Sequence, residues 1–292
     1  MSSNTERPFQ FELIVPPADL RDQINTFFWM RTELEQFEEV MPAYSAQLHV
    51  FLEGSATMHF EGGSQDLPDR VIFNAPLLEA TAFSARGPVA CFGASFTHRG
   101  WAELVGKPVD EVHHRLFSPD ELFPEDLARQ FRAIADCDYG DRDGLGDGVA
   151  QAVRAALDPL VPNHAHFISE TMSWLSSSLN PSVEDLFARL SISRRQVQRL
   201  SNRFFGAPPR RLVKRVRAVR AATLLAQPNL PDAVRDELAL AYFDQSHMIN
   251  DIKRYTGRTP SLLDEGKLSV QTFDPAGHGA PGRLARGAIE KK

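Results

Sequence analysis

Cysteine is almost missing from this chain: Cys91 and Cys137 are the two in 292 residues. Two thiols cannot build a disulfide framework or a cysteine-ligated zinc cluster, so neither is expected to hold the fold. A buried, inert thiol is the reading for each. Long apolar runs are missing as well. No stretch reaches the roughly 18 residues a membrane helix needs. Residues 1–10 are polar and carry no apolar signal core. The expectation is a cytoplasmic chain with no membrane partner. Catalytic signatures are equally sparse. There is no Gly-rich phosphate loop, and neither residues 126–129 nor Glu170 offers a paired-carboxylate or nucleophile arrangement. No catalytic residue and no cofactor are expected, and the chain does not read as an enzyme.

What is present is ordinary in bulk and unusual in distribution. The chain is 42% hydrophobic and 24% charged, as globular proteins are, and its length suggests two domains. The net charge of −6 hides a division. Residues 182–267 hold 16 Lys+Arg against 9 Asp+Glu, a local +7, which leaves −13 for the remainder. Such asymmetry is the electrostatic footprint of a nucleic-acid module joined to something else, the plain alternative being a solvated basic face.

Up to about Ala135 the pattern is mostly strands. Residues 24–31 are rich in Phe and Trp. Residues 47–51 and 57–60 are short runs separated by Glu53-Gly54-Ser55, which predicts a tight turn. A second turn falls at Glu61-Gly62-Gly63-Ser64, and residues 71–73 and 89–96 continue the pattern. Short strands at this spacing predict a sandwich or barrel. From Trp101 the periodicity turns helical, and Pro124 opens a helix with Leu127, Phe131 and Ile134 on one face. Residues 138–148, with four glycines, read as a linker or long loop. Residues 149–160 and 167–179 then read as two amphipathic helices. Val153, Leu157, Leu160, Phe167, Met172 and Leu175 are candidates for a homodimer face or for packing within one chain. The tail from Ser269 carries Gly277, Gly279, Gly282 and Gly287 and predicts no packed core. The expected organisation is α+β in two domains: 1–136 strand-rich, 137–180 linker helices, 181–266 all-α, and 267–292 a disordered tail.

The functional pattern lies in residues 182–263. Ser182 caps a helix, with Asp185 placed for a capping box and Leu186 and Leu190 on its inner face. After Ser191-Ile192-Ser193 a second helix runs to about Phe205 and buries Val197, Leu200 and Phe204. That leaves Arg194, Arg195, Gln198, Arg199 and Asn202 toward solvent. Arg pairs twice with guanine, and Gln and Asn pair with adenine, so these are base-reading side chains. Arg203 suits a backbone phosphate. Two short helices with a basic second member are a helix-turn-helix. Gly206 ends the helix and Pro208 starts the next, which buries Leu212, Val216 and Val219. Arg210, Arg211, Lys214, Arg215, Arg217 and Arg220 lie within eleven residues with no acid among them. Such crowding predicts that the polybasic helix presents them to DNA phosphates.

The run Ser193-Arg-Arg-Gln-Val-Gln-Arg-Leu, with Phe204-Phe205-Gly206 and Pro208 or Pro209, resembles the first DNA-binding unit of the AraC/XylS family of transcription regulators. Asp244-Gln245-Ser246-His247 and Gly257-Arg258-Thr259-Pro260 are similar to that family's signature in its second unit. The resemblance covers about 80 residues. It implies a double helix-turn-helix whose two reading helices enter adjacent major grooves of double-stranded DNA. It also implies base-facing roles for Arg195, Gln198 and Arg199, and for Gln245, Ser246 and Asn250. Phosphate roles fall to Arg210, Arg211, Lys214, His247, Lys253 and Arg254. Departures exist: Ala241 replaces the usual Gly, Asp236 and Glu237 stand where an apolar pair is usual, and Asn250 stands where Arg is common. Val234 and Leu238 are the substitute inner face. Asp251 faces a polyanion poorly unless it accepts from cytosine or pairs with Lys253.

Family members often carry a cupin-like sensor ahead of the DNA unit, and the strand pattern here is compatible with one. The usual cupin metal motif is absent around His49, His59 and His98. His113 and His114 are adjacent, so their rings do not share a strand face. No metal is expected. Phe51, Phe60, Phe73, Phe83, Phe92 and Phe96 are candidates for an apolar effector pocket or simply for core. The reading is a transcription regulator, with RNA polymerase a partner if it is an activator and a small organic molecule the effector. Two alternatives stay open: a cupin-type enzyme fused to a DNA-binding tail, and an effector-free regulator controlled by protein contact.

Overall fold

The computed structural model describes residues 9–138, 140–226 and 230–263. The expectation for the tail, residues 267–292, lies outside the described residues, as do the last residues assigned to the DNA unit. Eight strands carry the N-terminal half: β1 (Gln10–Ile14), β2 (Ile24–Thr32), β3 (Gln36–Met41), β4 (Gln47–Phe60), β5 (Gly63–Asp66), β6 (Val71–Asn74), β7 (Thr81–Phe96) and β8 (Leu116–Phe117). They form one antiparallel sheet in the order β1-β2-β7-β4-β6-β8. β3 adds to the first half of β7, and β5 forms a hairpin with the end of β4. β7 is the axis: its early residues pair with β3 and its later ones with β2, while β4 runs along both.

The turn expected at Glu53-Gly54-Ser55 is instead a bulge inside β4. Register shifts on both sides of Glu53, and Gly54 takes φ +81°. A Cβ there would lie 2.5 Å from the Pro88 carbonyl oxygen, so only glycine lets the two long strands close up. The second expected turn is real and joins β4 to β5 through Glu61 and Gly62.

Alternation along the strands gives the sheet two apolar faces. One carries Ile24, Phe27, Leu48, Val50, Phe73, Phe92 and Phe96. Helices α1 (His98–Leu104), α2 (Val109–Val112), α3 (Pro119–Leu122), α4 (Glu125–Ala133) and α5 (Arg142–Ala156) follow the sheet, and most of them cover this face. Pro124 is the N-cap of α4, whose Phe131 is fully buried. The other face carries Phe28, Met30, Phe51, Met58, Ile72 and Cys91.

α5 begins earlier than expected. Arg142 to Gly148 are helical, with Asp141 capping the Gly144 amide at 2.9 Å. Gly146 faces Phe27 and Phe92, and Gly148 faces Ile134, at distances where a Cβ would make ordinary contact, so neither glycine interrupts the helix's packing. Val153 of α5 is fully buried against the sheet. Phe167 and Leu175 of α6 (Pro162–Ser176) are buried against the first helix-turn-helix. The expected dimer stripe is thus largely spent within the chain.

The C-terminal half is all-helical: α7 (Val183–Arg189), α8 (Arg194–Phe205), α9 (Pro209–Leu225), α10 (Asp232–Ala241) and α11 (Gln245–Thr256). Two cores organise it. Phe167 and Trp174 of α6 join Leu186, Val197, Leu200, Phe204 and Leu212 in one. Ala218, Ala222 and Leu224 of α9 join Leu238, Ile252 and Tyr255 in the other. α9 crosses both. Each large side chain buried this way stabilises its core by about 1.5–3 kcal/mol.

Candidate nucleic-acid interface and effector cavity

The first unit follows the sequence reading closely. Ser182 Oγ accepts the Glu184 amide, and Trp174 Nε1 donates to the Ser182 carbonyl at 2.7 Å, fixing α7 against α6. No capping box through Asp185 forms; the serine caps alone. Ser193 caps α8 by accepting the Gln196 amide. Val197 is fully buried, and Leu200 and Phe204 are each 4% exposed. Arg195, Gln198 and Arg199, spaced i, i+3, i+4, therefore share one exposed face. Arg194 is held by both carboxylate oxygens of Glu184 and lies over the Phe187 ring, so it belongs to the α7–α8 joint. Asn202 is half-buried, and Arg203 lies over Phe204.

In the second unit Asp244 caps α11 by accepting the His247 amide at 2.7 Å. Gln245, Ser246, Asn250 and Lys253 are exposed. Leu238 is 2% exposed and Val234 packs beside it, so the shifted inner face of α10 is formed as expected. Asp251 neither accepts from cytosine nor pairs with Lys253: it is buried, 3.0 Å from Arg217 and 3.4 Å from His247. His247 turns inward to that carboxylate and packs edge-on against Tyr242.

The polybasic helix departs most from expectation. Arg210, Arg211 and Lys214 are exposed, but Arg215, Arg217 and Arg220 are buried. Each of the three seals the C-terminal end of another helix, where carbonyls lack intrahelical partners. Arg215 donates to the Phe205 carbonyl at the end of α8. Arg217 donates to Ala241 at the end of α10 and to Asp251. Arg220 donates to the carbonyls of Leu175 and Ser178, where α6 ends. Burial lowers Arg215 and Arg220 to about 10, which leaves both charged at neutral pH. Their partners are mostly main-chain oxygens, which a residue pattern does not display.

α8 and α11 each end in a left-handed glycine, Gly206 at φ +73° and Gly257 at φ +75°. The N-terminal unit covers both ends. A Cβ on Gly206 would strike Leu78 and Val109, and one on Gly257 would strike Val40. His98 also packs against Phe205 in a tilted contact with ring centroids 4.4 Å apart. The sheet unit grips the C-terminal ends of both reading helices and leaves their N-terminal halves open.

A cavity of about 480 Å³ lies between the sheet's second face and the C-terminal unit. Its sheet wall includes Phe11, Phe28, Met30, Phe37, Phe51 and Phe83. The opposite wall comes from Ile168 and Met172 of α6 and Arg215, Val216 and Val219 of α9. Of the six phenylalanines singled out, Phe51 and Phe83 line this space. Phe73, Phe92 and Phe96 face the helices and are fully buried core, and Phe60 packs on His114. The bulge in β4 and the pairing of β7 decide which face each ring takes, and neither follows from composition. Phe28 was legible as a strand aromatic but not as lining, and the strand that carries Phe37 was not anticipated.

Polar side chains, among them Asn25, Gln47, His49, Asn74 and Arg215, punctuate this apolar lining. His49 is 8% exposed, bonded to Gln47 and beside Cys91. Burial lowers its pKa to about 4 and raises the Cys91 thiol to about 12, so both are neutral at pH 7. Among the described residues no group of His, Cys, Asp and Glu is arranged to hold a metal ion, and no helix is long and apolar enough to cross a membrane.

A strand-rich unit clasping a pair of helix-turn-helix units, with a cavity between the two halves, is the architecture these contacts define. Residues 186–265 match the family model described as a helix-turn-helix domain. This segment is an AraC-type helix-turn-helix domain, the kind that binds DNA in transcription regulators. No curated protein matches the chain. Among solved structures, an apo lysine-to-alanine variant of ToxT from Vibrio cholerae is 10% identical, with a TM-score of 0.44, covering 87% of this chain and 96% of that one. Wild-type ToxT bound to an unsaturated fatty acid is 9% identical at a TM-score of 0.43, covering 89% and 96%. The AraC-like transcriptional activator CuxR is 14% identical at 0.30, covering 76% and 84%.

Proposed function

We propose that this chain is a sequence-specific regulator of transcription whose grip on duplex DNA is set by a small, largely apolar organic effector in the cavity. The observation that carries the control step is the cavity's double wall. One side is the sheet and the other is α6 and α9, and α9 runs through the cores of both helix-turn-helix units. A molecule that fills this space touches the DNA unit directly, so its binding energy differs between arrangements of the two halves, as any ligand-driven shift requires. Arg195, Gln198 and Arg199 read bases in one groove, and Gln245, Ser246 and Asn250 read the next. Arg203, Arg210, Lys214 and Lys253 contact phosphates. Arg215 puts a charged guanidinium in the α9 wall, and among the described residues no carboxylate pairs with it, so an effector with an oxygen acceptor at one end is favoured.

The test selects sites from a random duplex pool with the full chain. Affinity for the selected site is then measured by anisotropy with and without compounds that raise the melting temperature. Enrichment of one site, with affinity that changes on compound addition, is the expected result. No enrichment overturns the DNA reading. Enrichment with affinity indifferent to every stabilising compound overturns the effector reading. Turnover of a small substrate, or stoichiometric bound metal, favours the fused-enzyme alternative.

A further inference from the structure

We propose that Arg211 and Arg254 form one DNA-phosphate site shared by the two helix-turn-helix units, and that Glu79 of the sheet unit occupies it as an internal stand-in for the phosphate. The inference rests on the DNA reading and adds to it a named competitor. Arg211 lies in the first turn of α9 and Arg254 in the last turn of α11. They are far apart in sequence and belong to different helices, yet both reach one carboxylate oxygen. Arg254 Nη2 bonds Glu79 Oε1, and Arg211 Nη2 lies 3.7 Å from the same atom.

Two convergent guanidiniums are the geometry that holds an oxyanion, and Arg is the residue suited to phosphate. All three side chains remain accessible, at 57% for Arg211, 50% for Arg254 and 39% for Glu79. A buried structural ion pair looks different here: Arg258 and Glu39 meet at 2.7 Å with exposures of 12% and 5%. The Glu79 contact is thus open to exchange, while its neighbour is locked.

The backbone places the carboxylate. The loop between β6 and β7 docks on the end of α11, where the Ala80 amide donates to the Arg254 carbonyl at 3.0 Å. The Ala43 amide donates to the Tyr255 carbonyl at 2.8 Å. Both bonds satisfy carbonyls of the last helical turn. A carboxylate beside these two bonds is presented to the arginines without the ordering of a mobile chain. The acidic sheet unit therefore supplies a negative charge where DNA would supply one. A phosphate that enters must displace Glu79, so the two halves compete for the same pair of cations.

The experiment measures affinity of the full chain for a selected duplex and for random duplex across a salt series. Wild type, Glu79→Gln, Glu79→Ala, the double variant Arg211→Ala with Arg254→Ala, and the triple combination with Glu79→Gln are compared. Glu79→Gln keeps the side chain's size and removes its charge, and thermal melting confirms each fold. Removing two exposed ion pairs from the competition is expected to tighten binding to both duplexes roughly three- to tenfold. The gain is expected to vanish when Arg211 and Arg254 are alanine. Unchanged or weaker binding by both Glu79 variants, with wild type binding normally, overturns the inference alone. So does a gain that persists without the two arginines. Failure of every variant to bind any duplex overturns the DNA reading and this inference with it.

Discussion

Arg217 and Asp251 form a buried ion pair at 3.0 Å that joins the connecting helix α9 to the second reading helix α11. The same guanidinium donates to the Ala241 carbonyl at 2.9 Å and lies 4.2 Å over the Tyr242 ring. Three helices therefore meet on one side chain. Asp251→Ala strands that guanidinium without its counter-charge, and breaking one partner of a buried pair costs about 3–5 kcal/mol. Chemical denaturation of the full chain measures the loss. A loss under about 1 kcal/mol, the range of an exposed pair, would contradict the burial.

This pair also shows where sequence reasoning stops. Asp251 read as an awkward acid on a DNA-facing helix, because one helix in isolation has only an inner apolar stripe and an outer polar one. Its partner lies on another helix. The same reason hid Arg215, Arg217 and Arg220, whose acceptors are mostly carbonyls at the ends of α6, α8 and α10. By contrast, α8 was legible almost to the residue. Ser193, Gly206 and the Val197–Leu200–Phe204 stripe are local signals that tertiary packing did not overrule. The sheet stood between these cases. Its strands were visible from their aromatics, but the bulge at Gly54 fused two expected strands into one. That shift helped sort the phenylalanines between core and cavity, so the lining of the cavity was only partly readable.

Readers of bases and holders of backbone are expected to separate on mutation. Arg195 and Gln198 project from the face of α8 opposite its buried stripe. An Arg or Gln bonded to a base edge is worth about 1–3 kcal/mol of discrimination. Arg195→Ala or Gln198→Ala should relax preference at one or two base pairs. Lys214→Ala should weaken specific and random DNA alike and lower the salt slope by about one unit. Competition titrations against single-base variants of the selected site, repeated at several salt concentrations, measure both effects. Equal losses on all duplexes for Arg195→Ala would place it on the backbone instead.

His49 makes stability depend on pH. Its folded pKa is lowered to about 4 by burial, against 6.5 for an ordinary histidine. The neutral ring is therefore accommodated in the fold while the unfolded chain takes up a proton below pH 6.5. Stability from this residue is complete above that pH and is lost as pH falls toward about 4. Between pH 7 and pH 5 the loss amounts to about 2 kcal/mol for one such histidine. His49→Gln removes the titration, so the gap in unfolding free energy between wild type and variant should narrow by about that amount over the same interval. Parallel pH profiles for the two proteins would count against a neutral buried His49.

The effector reading is tested most directly by filling the cavity. Ala85 lies on β7, is 4% exposed and lines the space. Ala85→Phe places a ring where the effector's apolar body would sit. Overpacking of a filled core costs about 1–3 kcal/mol, and an existing void should reduce that figure. The variant should therefore fold. A compound at a hundredfold excess over its Kd stabilises the wild type by about 2.7 kcal/mol, which thermal melting detects readily. The same compound should leave Ala85→Phe unmoved, because its site is occupied by the new ring. DNA affinity supplies the second readout, since Arg215, Val216 and Val219 form part of the cavity wall and belong to the connecting helix. Compound addition should change the affinity of the wild type and not that of the variant. If both proteins respond equally in melting and in DNA binding, the compound acts at another surface and the cavity is not the effector site.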